Sequence, residues 1–145
     1  MRARATKTSS AEEARLLEPR EVLPGRQLTT WSAPRIARAV QAGQFVHVLA
    51  PRVAGLLLPA VPVAGFDRVA GTVGLLLSSA MPLTTQLAHL RPGESAELEG
   101  PLGRGFAIDA RSRFLLLVAD SESFGRTRAV VDEAVAGGRQ VTVLL

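Results

Sequence analysis

The chain contains no cysteine, which excludes disulfides, thiol nucleophiles and cysteine-ligated zinc or iron–sulfur centres. It has no tyrosine and one tryptophan, and aromatics make up 4% of the sequence. A core must therefore come from Leu, Val and Ala, with few rings left to stack on a planar ligand. Lysine occurs once, at Lys7, and the remaining basic side chains are arginines. The net charge of +4 comes from residues scattered singly rather than gathered into a stripe, so nucleic acid is not an expected partner. The two histidines, His47 and His89, are not spaced as a ligand pair; each reads as a structural residue, and no metal site is expected. Ser78, Ser79, Ser121 and Ser123 lack the context of a nucleophile elbow, and no catalytic residue is assigned. The longest apolar run, residues 53–66, is too short to cross a bilayer and contains Pro59 and Pro62. The first ten residues lack the apolar stretch of a signal peptide. A soluble, cytoplasmic protein is expected.

What is present is a 47% hydrophobic sequence of 145 residues, enough for one small barrel and part of a second domain. Residues 1–15 are polar and charged and read as a disordered tail. From Leu16 the chain shows short apolar segments between turns. Two strands flank Pro24-Gly25, and Pro34 stops the second. Ile36, Ala39 and Val40 suit one helical turn, and residues 45–50 form a strand apolar on both faces. A strand over residues 53–67 carries two prolines that cannot donate to a ladder, which confines them to an edge or an end. Residues 71–78 form a further strand, residues 84–90 a short helix, and residues 95–99 a strand with Glu97 and Glu99 outward. This pattern predicts a mainly β fold, a six-stranded antiparallel barrel over residues 16–108.

Beyond it the period changes. Residues 114–119 suit a buried parallel strand, and Ser121 or Ser123 suits a helix cap. Val130, Val131, Ala134 and Val135 recur at helical spacing, Gly137-Gly138 ends the helix, and residues 140–145 form a second strand. Residues 113–145 thus read as one truncated βαβ unit. Its final strand would leave an unprotected edge, so a homodimer or a protein partner is expected to use it.

Between the two parts lies Gly100-Pro101-Leu102-Gly103-Arg104-Gly105-Phe106, with three glycines in six positions. This joint, the turn Leu90-Arg91-Pro92-Gly93-Glu94 and the segment Ala42-Gly43-Gln44-Phe45-Val46 resemble the ferredoxin-reductase superfamily. Within it they are similar to the electron transfer subunits of dihydroorotate dehydrogenase. The resemblance implies a barrel that holds FAD, a second domain that holds a nicotinamide nucleotide, and electron transfer between them or onward to an iron–sulfur cluster.

The same resemblance marks where this chain departs. The family's Arg-Pro-x-Ser strand, whose Arg pairs with the diphosphate and whose Ser reaches the flavin ring, corresponds to Leu58-Pro59-Ala60-Val61. Loss of a charge-assisted phosphate contact costs about 1.5–3 kcal/mol. The family's Gly-x-Gly-Thr loop corresponds to Met81-Pro82-Leu83-Thr84, with Thr85 following; Pro82 has no N–H to offer. By family position the cofactor-binding residues would be Pro59, Ala60, Val61, Thr84 and Thr85. The glycine run that approaches a nicotinamide nucleotide is replaced by residues 119–126, where Asp120 and Glu122 put negative charge. The cluster-binding cysteines are missing. FAD binding is therefore expected to be possible but weakened, NAD(P) unexpected and an iron–sulfur cluster excluded. The expected function is a degenerate, non-catalytic interaction module; the alternative is an FAD-binding oxidoreductase or electron transfer subunit that works with a partner chain.

Overall fold

The computed structural model describes residues 10–49, 60–80, 82–120 and 123–145. Its elements, in order, are β1 (Ser10–Leu23), β2 (Arg26–Ser32), α1 (Pro34–Ala39), β3 (Phe45–Leu49), β4 (Val61–Asp67) and β5 (Thr72–Ser78). They continue with α2 (Pro82–Ala88), β6 (Ser95–Leu102), β7 (Phe114–Val118), α3 (Phe124–Ala136) and β8 (Gln140–Leu144). Six strands close into an antiparallel barrel in the order β1-β2-β5-β4-β3-β6. The fold class read from the sequence is the one observed.

Alternation builds the barrel. Inward positions carry Leu16, Trp31, Val46, Val48, Val61, Val63, Val73, Leu75, Leu77 and Leu98, which form one buried cluster closed by Ile36 of α1 and Leu87 of α2. Trp31 is fully buried. Its indole N–H donates to Thr29 Oγ1 at 2.8 Å, and that hydroxyl donates to the Leu75 carbonyl at 3.1 Å. The one polar thread in this part of the core is thereby satisfied. Pro62 is the second residue of β4, where pairing with β3 covers only Phe45↔Pro62 and Val46↔Val61. The proline thus sits near a strand end, as its missing N–H requires; the part of that predicted strand at residues 53–59 lies outside the described residues.

The expected tail requires correction. β1 begins at Ser10, six residues before Leu16, and residues Ser10 to Arg15 pair with β6 from Gly100 to Ser95. The inward residues of this stretch are Glu12, Ala14 and Leu16. A carboxylate in an inward position hides the alternation from a sequence reading. Glu12 is nevertheless buried because it accepts the backbone N–H groups of Arg35 at 3.1 Å and Ile36 at 2.9 Å, at the start of α1. These are donors that a helix cannot satisfy internally.

β7 and β8 are parallel, with Phe114↔Gln140 through Val118↔Leu144 in register, and α3 connects them. α3 packs on β4 of the barrel through a second cluster of Ala42, Ala129 and Val130, with Phe66, Ile108 and Leu117 against it. Two expectations change here. Val130 and Ala134 of the expected helical set are buried, together with Gly125 and Ala129, whereas Val135 is exposed. Small residues let the helix approach the barrel: a Cβ at Gly125 would lie 3.4 Å from Leu76 Cβ. The expected buried strand β7 is covered on one side only, since Phe114, Leu116 and Val118 remain exposed.

Candidate functional site

The two motif segments, far apart in sequence, are packed against each other. Gln44, at the turn into β3, is buried; its Oε1 accepts the Gln41 N–H at 2.8 Å and its Nε2 donates to the Gly103 carbonyl at 2.9 Å. The Phe106 N–H donates to the Ala42 carbonyl at 2.8 Å. Gly43 and Gly103 both have positive φ, 93° and 78°. A Cβ at Gly43 would overlap the Phe106 ring, and one at Gly103 would come within 2.7 Å of the Phe45 ring. Only glycine serves at these positions, because both the backbone conformation and the space exclude a side chain. The joint is therefore docked on the turn that leads into β3 and fixes where the βαβ unit leaves the barrel. Gly100, Pro101 and Leu102 belong to strand β6, so the loop proper is shorter than the sequence suggested.

The residues assigned to a flavin by family position gather at one end of the barrel. Val63 pairs with Leu75 in antiparallel strands, so the start of β4 and the end of β5 lie side by side, and α2 follows β5. Pro59 lies outside the described residues. Ala60 is exposed. Val61 is 3% exposed and belongs to the barrel core; the half-buried outward residue next to it is Pro62. The outward position on this strand thus has neither a hydroxyl nor an N–H. Thr84 is buried and its hydroxyl donates to the Ser78 carbonyl; the Thr85 hydroxyl donates to the Ser79 carbonyl at 3.3 Å. Both threonines tie α2 to the end of β5. Pairing of β2 with β5 also brings Arg26 opposite Ser78. Sequence reading missed this cation, because the register between strands so far apart leaves no local signal.

At the βαβ unit, Asp120 and Ser123 close on each other. The Ser123 N–H and hydroxyl donate to Asp120 Oδ1 at 2.8 and 2.6 Å, and the Asp120 N–H donates to Ser123 Oγ at 3.0 Å. Ser123 is the N-cap residue of α3, yet its hydroxyl makes no bond to the helix. Ser121 and Glu122 lie outside the described residues. Between β4 and α3 a cleft of about 210 Å³ is lined by Gly65, Phe66, Arg68, Ala129, Asp132 and Glu133, among others. The Arg68 guanidinium lies 4.6 Å over the Phe66 ring and donates to the Val40 carbonyl at 2.9 Å. His47 is half-buried and meets Phe45 edge to face at 5.8 Å; His89 is exposed. Among the described residues no group of three or more His, Asp or Glu side chains is arranged to hold a metal ion, and no helix is long and apolar enough to cross a membrane.

No family model matches the sequence. Its fold, however, superposes on solved structures along most of its length. It covers 89% of this chain and 46% of an NADH-dependent reduced ferredoxin-NADP oxidoreductase with a TM-score of 0.77 at 18% identity. It covers 92% of this chain and 56% of a ferredoxin NADP+ reductase from Neisseria gonorrhoeae, a structure with bound FAD and NADP, with a TM-score of 0.69 at 18% identity. The fold is that of the ferredoxin-reductase superfamily. Within it, the sequence is 30% identical over 138 residues to the electron transfer subunit of dihydroorotate dehydrogenase B (NAD(+)) from Desulforamulus reducens. That alignment takes in 94% of this chain and 53% of the relative, so the chain spans about half the length of the curated relative it matches. The ferredoxin-reductase-type barrel accounts for β1 to β6, and the docked joint between Gln44 and Gly103 lies where the sequence resemblance put it.

Proposed function

We propose that this chain is a relative of the flavoprotein electron transfer subunits in which the barrel serves as a protein-interaction module and the flavin site has been dismantled. One observation carries the reading. At the end of the barrel where the family's motifs fall, Val61 is turned into the core and the hydroxyls of Thr84 and Thr85 are engaged by the carbonyls of Ser78 and Ser79. A diphosphate there would have to break those bonds, and Pro82 brings no N–H to replace them. The Asp120–Ser123 pair supports the same reading for a nicotinamide nucleotide, since it puts a carboxylate where phosphates need donors. The proposal includes a cytoplasmic location and a partner bound through the C-terminal strand β8.

A second reading is favoured by the extent of the match to an electron transfer subunit, 94% of this chain. In it the barrel still holds FAD, with Arg26 beside Ser78 supplying the positive charge that Leu58 does not, and the chain passes electrons together with a partner.

The visible absorption spectrum of the purified protein, recorded before and after FAD is added and desalted away, separates the two. The interaction module is colourless after desalting. Bands near roughly 375 and 450 nm that survive desalting would establish the second reading instead.

A further inference from the structure

No further inference is drawn: the strongest candidate, the cleft of about 210 Å³ between β4 and α3 lined by Gly65, Phe66, Arg68, Ala129, Asp132 and Glu133, carries nothing, because its α3 wall belongs to the βαβ unit of a chain that spans about half the length of its curated relative, so its exposure is not that of a free surface, and nothing in the structure shows what covers it.

Discussion

Gly43 presents its bare Cα to the ring of Phe106, and this contact joins the two stretches of sequence that first marked the fold. The backbone bond from the Phe106 N–H to the Ala42 carbonyl, 2.8 Å, runs beside it. Gly43→Ala is expected to cost about 1–3 kcal/mol, because it combines a positive φ with overlap of the ring. Phe106→Ala in the same chain removes the overlap and leaves the φ cost, so the double variant should lose less than the two single losses summed. Trp31 is the one tryptophan and fully buried, which makes its fluorescence in a denaturant titration the measurement.

Glu12 ties the first strand to α1. Glu12→Ala leaves the N–H groups of Arg35 and Ile36 without their acceptor in a buried place, and a loss of about 1–3 kcal/mol is expected. Deletion of the chain through Arg15 should abolish the cooperative Trp31 transition altogether, since it removes the pairing between β1 and β6. A deletion variant that unfolds like the full chain would show that this pairing adds no stability.

Thr84→Val tests whether the family-position threonine is structural. The buried hydroxyl bond to the Ser78 carbonyl is lost, and a drop of about 1–2 kcal/mol in unfolding free energy is expected. The amount of FAD retained after desalting should not change. A variant as stable as the parent, but with altered FAD retention, would assign the hydroxyl to the cofactor.

Asp109 accepts the Arg111 guanidinium at 3.3 Å and the Arg111 N–H at 2.8 Å. The guanidinium first, and the backbone N–H second, hold its carboxyl below the usual carboxylate range. A depressed folded-state value means that the contribution to stability is present above the unfolded value, about pH 4, and is lost as pH falls through the folded one. Carbon-detected NMR titration should show Asp109 ionising below the ordinary aspartate value of about 3.9, and Arg111→Ala should raise its midpoint toward that value.

Local chemistry made much of the barrel legible. Pro24-Gly25, Pro34 and the Gly93 and Gly138 turns punctuate the chain by conformational restriction that needs no tertiary context, and the strands between them alternate visibly. Where an inward position holds a polar group, as at Glu12, alternation fails as a signal and the strand was read as a tail. On α3 the helical spacing of Val130 and Ala134 was visible in the sequence, whereas Gly125 and Ala129, which complete the buried face against the barrel, carry no strong apolar signal, and Val135 is left exposed.

The candidate site was legible as a list of positions and illegible as an arrangement. Absence of cysteine, the proline in the loop before Thr84 and the missing glycines after β7 are properties of the sequence, and they mark where this chain departs from the family's motifs. The rotation of the strand that turns Val61 inward and Pro62 outward depends on the register of β4 in the closed barrel. The engagement of Thr84 by Ser78, the approach of Arg26 to that end and the exposure of one face of β7 depend equally on it. The sequence by itself determined the fold class, because turns and alternation are local. Only the tertiary structure decided which side chains turn into the barrel and which turn out of it, since side-chain direction is set by pairing with strands distant in the chain.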